Sequence, residues 1–131
     1  MAHVLVVDDD ELVRSTIRAS LARAGHDVIE ARDGQEAVDI LARGPVDVVV
    51  SDIIMPEIDG IGLLLQLRRQ QPRLRVIVIS GGGRTQNVDF LRMATALGAD
   101  LALAKPFTPE DLQRAVQSVL EGPTDKTGPD S

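Results

Sequence analysis

Acidic side chains in this sequence collect where apolar runs stop. Asp8, Asp9 and Asp10 follow the run His3–Val7 (HVLVV), and Asp52 follows Asp47–Ser51 (DVVVS). Ser80 ends Arg75–Ser80 (RVIVIS) ahead of Gly81, Gly82 and Gly83, and Lys105-Pro106 follows Leu101–Ala104 (LALA). Carboxylates brought within ~4 Å repel by several kcal/mol at an effective dielectric of ~20, so such a cluster demands a counter-charge. A hard divalent cation fits: Mg²⁺ takes one or two carboxylates and keeps waters and phosphate oxygens in its shell. It would ease the approach of a phosphoryl group to a carboxylate nucleophile. Lys105 would hold a phosphoryl oxygen as a compact point charge, and Ser80 would offer a hydroxyl. The chemistry these residues suit is a carboxylate that accepts phosphate.

Each of them also has an ordinary role. Asp9 or Asp10 serves to cap a helix, with Asp8 and Asp9 facing the cleft if Asp10 is the cap. Asp52 suits a loop, Ser80 the start of a flexible glycine stretch, and Lys105 the surface. Lys105 is nevertheless the only lysine before the C-terminal stretch in a chain with twelve arginines, a bias broken at one strand end. SGGGR at Ser80–Arg84 lacks the lysine and hydroxyl of a P-loop.

Converging these groups requires elements that end together. His3–Val7, Val28–Ala31, Asp47–Ser51, Arg75–Ser80 and Leu101–Ala104 predict five strands. Three are dense in Val and Ile without polar alternation, the pattern of strands covered on both faces. Helical spacing lies between them: Val13, Ile17, Leu21 and Ala24, stopped by Gly25; Ala37, Val38 and Leu41 before Gly44-Pro45; Ile61, Leu64, Leu65 and Arg68, with Asp59 as cap; Val88, Leu91 and Thr95, closed by Gly98; and Leu112, Ala115, Val116, Val119 and Leu120, with Thr108 as cap and Pro109 first in the helix. Five alternating βα units predict an α/β, doubly wound parallel sheet, in which ligands bind beyond the carboxyl ends of the strands.

The 131 residues allow one domain, predicted over residues 1–121, with a disordered tail at 122–131 (GPTDKTGPDS). Hydrophobic residues at 44% and charged residues at 26% are globular values. With no Trp, no Tyr and two Phe, the core is aliphatic. A net charge of −6 argues against nucleic acid as the main partner. The absence of cysteine excludes disulfides and thiolate metal sites. The start of the chain has no signal-peptide pattern and no run of the ~20 apolar residues a membrane span needs, so a cytoplasmic protein is expected.

The strings VLVVDDD, SDIIMPEIDGIGLL, the hydroxyl residue Ser80, GAD at Gly98–Asp100 and KPF at Lys105–Phe107 together resemble the receiver (CheY-like) domain of two-component response regulators. The resemblance runs from about Met1 to Glu121. It implies a flavodoxin/CheY-like (βα)5 sheet of strand order 2-1-3-4-5 and a phosphoacceptor at Asp52. It implies Mg²⁺ held by Asp8, Asp9, Asp52 and the backbone carbonyl of Ile54, with Ser80 and Lys105 on the phosphoryl group. The donor would be a histidine kinase or histidine phosphotransfer protein. His3 and His26 are isolated and serve no such role. The expected function is a single-domain response regulator, not an enzyme on a separate substrate, that switches a downstream protein or relays phosphate. An inert binding module and a Mg²⁺-dependent phosphatase are the alternatives.

Two features depart from the family pattern. Ala102 stands where many members carry Tyr or Phe in the fifth strand, so output is expected through the loop Ser80–Arg84 and the fourth helix. Ile54 and Gly82 stand where some relatives carry polar side chains that help place water. Phe90, Met93 and Leu97 form a second apolar line, which suggests a partner or weak dimer surface near the fourth helix and fifth strand. Arg68, Arg69, Arg73 and Arg75 form a local basic stretch expected to solvate the end of the third helix.

Overall fold

The runs rich in Val and Ile build the interior of a five-stranded parallel sheet. The computed structural model describes residues 2–52, 60–70, 74–80, 98–104 and 107–121, together with Arg92 and Ala96. Its strands are β1 (His3–Val7), β2 (Asp27–Ala31), β3 (Val48–Asp52), β4 (Arg75–Ser80) and β5 (Leu101–Ala104). Helices α1 (Glu11–Arg23), α2 (Gly34–Arg43) and α3 (Gly60–Gln70) follow the first three strands, and a C-terminal helix spans Pro109–Glu121. The sheet order is β2-β1-β3-β4-β5, all pairs parallel, as the resemblance implies.

Alternation of side chains along each strand divides the core into two layers. Leu5, Val7, Val49, Val76 and Val78 face one way, against Ala37 and Leu41 of α2 and Leu67 of α3. Val4, Val6, Val48, Val50, Ile77 and Ile79 face the other, against Ile17 and Leu21 of α1 and Leu112, Ala115, Val116 and Val119 of the C-terminal helix. Continuous apolar strands arise because both faces are covered.

Capping fixes where the helices start. Asp10 accepts from the N–H groups of Leu12 and Val13, and Asp33 from that of Glu36. Thr108 Oγ1 accepts from Asp111 N–H while Asp111 Oδ2 accepts from Thr108 N–H, both at 3.0 Å, a reciprocal capping box. After α1 the chain turns through Gly25 at φ +96°, a conformation that suits glycine. His26 Nδ1 then accepts from Ala2 N–H at 3.2 Å; partial burial lowers the pKa of His26 and favours the neutral, accepting form.

Several boundaries and faces differ from the sequence expectation. β2 begins at Asp27, and β3 runs from Val48 to Asp52, so Asp52 is the last residue of its strand rather than the first after it. Asp47 instead brackets β1: its N–H donates to His3 O and its Oδ2 accepts from His3 N–H, both at 2.8 Å. Ala24 is the exposed C-cap of α1, and the buried line runs through Arg14, Ile17 and Leu21. In α3, Leu65 is 47% exposed and Leu67 is buried; the leucine-rich run supports more than one helical phase, and only packing selects among them. Asp59, the fourth helix apart from Arg92 and Ala96, the loop 81–84 and the tail 122–131 lie outside the described residues.

Leu21→Ala empties a fully buried position and is expected to cost about 2–5 kcal/mol. Leu12→Ala, at a position 76% exposed on the same helix, is expected to stay within about 0.5 kcal/mol; urea unfolding of both variants checks the contrast. The bond from Thr108 N–H holds the Asp111 carboxyl below its ordinary value, aided by the Thr108 side chain and by Arg114. A depressed carboxylate stabilises the fold above the unfolded value of 3.8, and that contribution is lost as pH falls through the folded value. The stability gap between the wild type and Asp111→Asn is therefore expected to shrink on acidification, read from urea midpoints on either side of that range.

Candidate functional site

The parallel register sets the site. Val7 pairs with Ser51, so the next residues along, Asp8 and Asp52, fall side by side at the carboxyl end of the sheet. Asp52 pairs with Ile79, which places Ser80 one row further along β4, and Ser80 pairs with Ala104, the residue before Lys105. Asp52 and Ser80, the predicted phosphoacceptor and hydroxyl residue, thus end β3 and β4, and Asp8, a predicted metal ligand, directly follows the neighbouring β1. The Ser80 side chain, Ile54 and Lys105 lie outside the described residues.

Asp8 is only 1% exposed and is held at three points. Its N–H donates to Ala31 O at 3.1 Å, continuing the β1–β2 ladder by one bond. Its Oδ1 accepts from Asp10 N–H at 2.9 Å, and its backbone carbonyl accepts from Arg14 Nη1 at 2.9 Å. Asp10 is engaged by α1 as its cap, and Asp8 and Asp9 are the two of the acidic run that gather with Asp52. One carboxylate oxygen from each of Asp8, Asp9 and Asp52 lies within 4.8 Å of the others. Burial grades across the cluster from Asp8, buried, through Asp52, half-buried, to Asp9, exposed. Ser51 Oγ donates to the Asp52 carbonyl at 3.0 Å.

This donor set fits Mg²⁺. All three ligand atoms are hard carboxylate oxygens that lie within 4.8 Å of one another, near enough for small shifts to bring them around one ion with ligands at about 2.1 Å. The exposed side at Asp9 leaves access for the waters such an ion retains.

Arg14, Glu30 and Arg18 escaped the sequence reading. Arg14 is 8% exposed; its Nε lies 2.8 Å from Glu30 Oε1, while Arg18 Nε lies 3.3 Å from Glu30 Oε2. The available signal was an arginine three residues before Ile17 on the buried line of a helix, with a glutamate inside the otherwise apolar run Val28–Ala31.

The model of the response regulator receiver domain matches residues 4–117. The chain therefore belongs to the response regulator receiver domain family. It is 38% identical over 129 residues to the response regulator MprA of Mycobacterium sp. (strain KMS), covering 98% of this chain and 55% of that protein. It is 33% identical over 117 residues to the alkaline phosphatase synthesis transcriptional regulatory protein PhoP of Bacillus subtilis (strain 168), covering 89% of this chain and 48% of that protein. The chain spans about half the length of these curated relatives. A response regulator receiver domain protein from Clostridium thermocellum superposes with a TM-score of 0.85 at 30% identity, over 92% of this chain and 94% of that one. The Vibrio cholerae chemotaxis protein CheY4 superposes with a TM-score of 0.81 at 31% identity, over 91% and 98%. Among the described residues, no helix is long and apolar enough to cross a membrane.

Like-charge repulsion within the cluster is a standing cost when no cation is bound. Asp9→Asn is expected to raise the urea midpoint in EDTA, and added Mg²⁺ is expected to narrow the difference by stabilising the wild type more. Differential unfolding at low ionic strength measures both.

Proposed function

We propose that this receiver domain is a phospho-aspartate switch. Mg²⁺ would bind to Asp8, Asp9, Asp52 and the Ile54 carbonyl, and Asp52 would take the phosphoryl group. The observation that carries the reading is the convergence of the Asp8, Asp9 and Asp52 carboxylates at the carboxyl end of the sheet. A bound Mg²⁺ would supply the positive charge that lets an anionic phosphoryl group approach an anionic nucleophile. A carboxylate oxygen of Asp52 attacks phosphorus; the new O–P bond forms as the bond to the donor's leaving group breaks, and the leaving group keeps the electron pair. With a histidine kinase or phosphotransfer protein, that leaving group is the imidazole nitrogen. Lys105 balances charge on the phosphoryl oxygens, and Ser80 donates its hydroxyl to one of them. Water later cleaves the acyl phosphate and resets the switch.

In this reading residues 1–121 act on no separate substrate and assist only their own phosphorylation and dephosphorylation. The phosphorylated domain alters a surface read by another protein, or passes the phosphate onward. With Ala102 in β5, the signal travels without an aromatic side chain at that position. The net charge of −6 makes a protein surface, rather than nucleic acid, the fitting partner for these residues.

Incubation with acetyl phosphate and Mg²⁺, followed by intact mass, tests the proposal. The wild type is expected to gain one phosphate, and both Asp52→Ala and the wild type in EDTA are expected to gain none. A phosphate that persists on Asp52→Ala overturns the assignment.

A further inference from the structure

We infer that Arg14 is a positioning residue for the metal site, acting through the backbone of Asp8, with Glu30 as the group that aims it. The inference rests on the proposed reading of Asp8, Asp9 and Asp52 as Mg²⁺ ligands and adds a residue that touches neither metal nor phosphate.

Arg14 lies on the first turns of α1, yet its side chain is buried, an expensive place for a guanidinium unless its donors are met. Two are met by different elements. Nη1 donates to the Asp8 carbonyl at 2.9 Å, and Nε donates to Glu30 Oε1 on β2 at 2.8 Å. The rigid planar fork makes these bonds interdependent: fixing Nε on Glu30 fixes where Nη1 points. Glu30 is itself held by a second arginine of the same helix, Arg18, one turn on at 3.3 Å. The bridge therefore runs from α1 through β2 to the residue that begins the acidic pair.

Its effect falls on the peptide unit between Asp8 and Asp9. The Asp8 N–H is held by Ala31 O and its carboxylate by Asp10 N–H. The carbonyl lies in the peptide plane that leads to Asp9, so the bond from Arg14 bears directly on the direction in which the backbone leaves Asp8. Removing Arg14 takes away that bond, and Asp9, being exposed, is the acid of the pair whose place depends most on the backbone that leads to it. Partners of this outer kind commonly tune metal affinity about 10- to 100-fold.

The test is Mg²⁺ titration followed through the backbone amide resonances of Asp9 and Asp10 in ¹⁵N-labelled protein, with urea unfolding alongside. Arg14→Met is expected to weaken Mg²⁺ binding about tenfold. Arg14→Lys keeps the charge on a single ammonium that lacks the fork and is expected to lose less. Val119→Ala, a core truncation on the C-terminal helix, is expected to lower stability and leave Mg²⁺ affinity at the wild-type value. Wild-type affinity in Arg14→Met, or an equal loss in Val119→Ala, overturns the inference. Should Arg14→Met fail to fold, Arg14→Lys decides: affinity below that of Val119→Ala supports the inference, and affinity equal to it overturns it. Failure of the wild type itself to bind Mg²⁺ overturns the underlying reading of the site instead.

Discussion

Three carboxylates held against their mutual repulsion are the constraint on which this structure turns. In water, side chains that repel simply move apart. Here the parallel register forbids it for Asp8 and Asp52, because Val7 and Ser51, their predecessors, are paired in the ladder and buried. The sheet is stiff because both of its faces are packed with branched aliphatic side chains. Hydrophobic burial thus keeps the acidic groups together, and the repulsion stored there is available to any cation that enters.

The three acids are not equivalent. Asp8 is buried and bonded through N–H, carbonyl and carboxylate. Asp9 is exposed, and Asp52 lies between the two in burial while ending a central strand. A fixed inner ligand defines where a metal would rest; an exposed outer one lets it arrive with its waters. Asp52, the last residue of a paired central strand, is half-buried, which suits the acceptor role proposed for it. Such positioning is what phosphoryl transfer chiefly asks of a protein, since the covalent demands on the residues are few.

Much of this was legible in the residues. The apolar runs located all five strands, with β2 starting one residue earlier and β3 shifted by one residue at both ends, since strand ends depend on partners that a single run does not contain. Types and spacing brought the acids to one sheet edge and offered Asp9 or Asp10 as the cap, while the resemblance singled out Asp8, Asp9 and Asp52 as the metal set; the structure makes Asp10 the cap and gathers the other three. Leu65 was misplaced because a leucine-rich run carries more than one phase and no internal signal chooses among them. The Arg14–Glu30 pair was hidden for a different reason. Two charged residues sixteen positions apart announce nothing until β2 is placed against β1 and α1 is folded over that boundary.

That hidden pair bears on how the fold and the site are related. A buried ion pair is seldom a gain in stability over well-packed apolar residues, because both charges must leave water. α1 already has an apolar seam in Ile17 and Leu21, so stability alone gives no reason to put a guanidinium on its buried face. Directionality does. An aliphatic side chain at position 14 would fill space without holding the Asp8 carbonyl; a planar cation clamped by a carboxylate on β2 sets the orientation of a specific peptide. The electrostatic expense of the clamp makes sense where the exact direction of one carbonyl matters, at the start of the acidic pair.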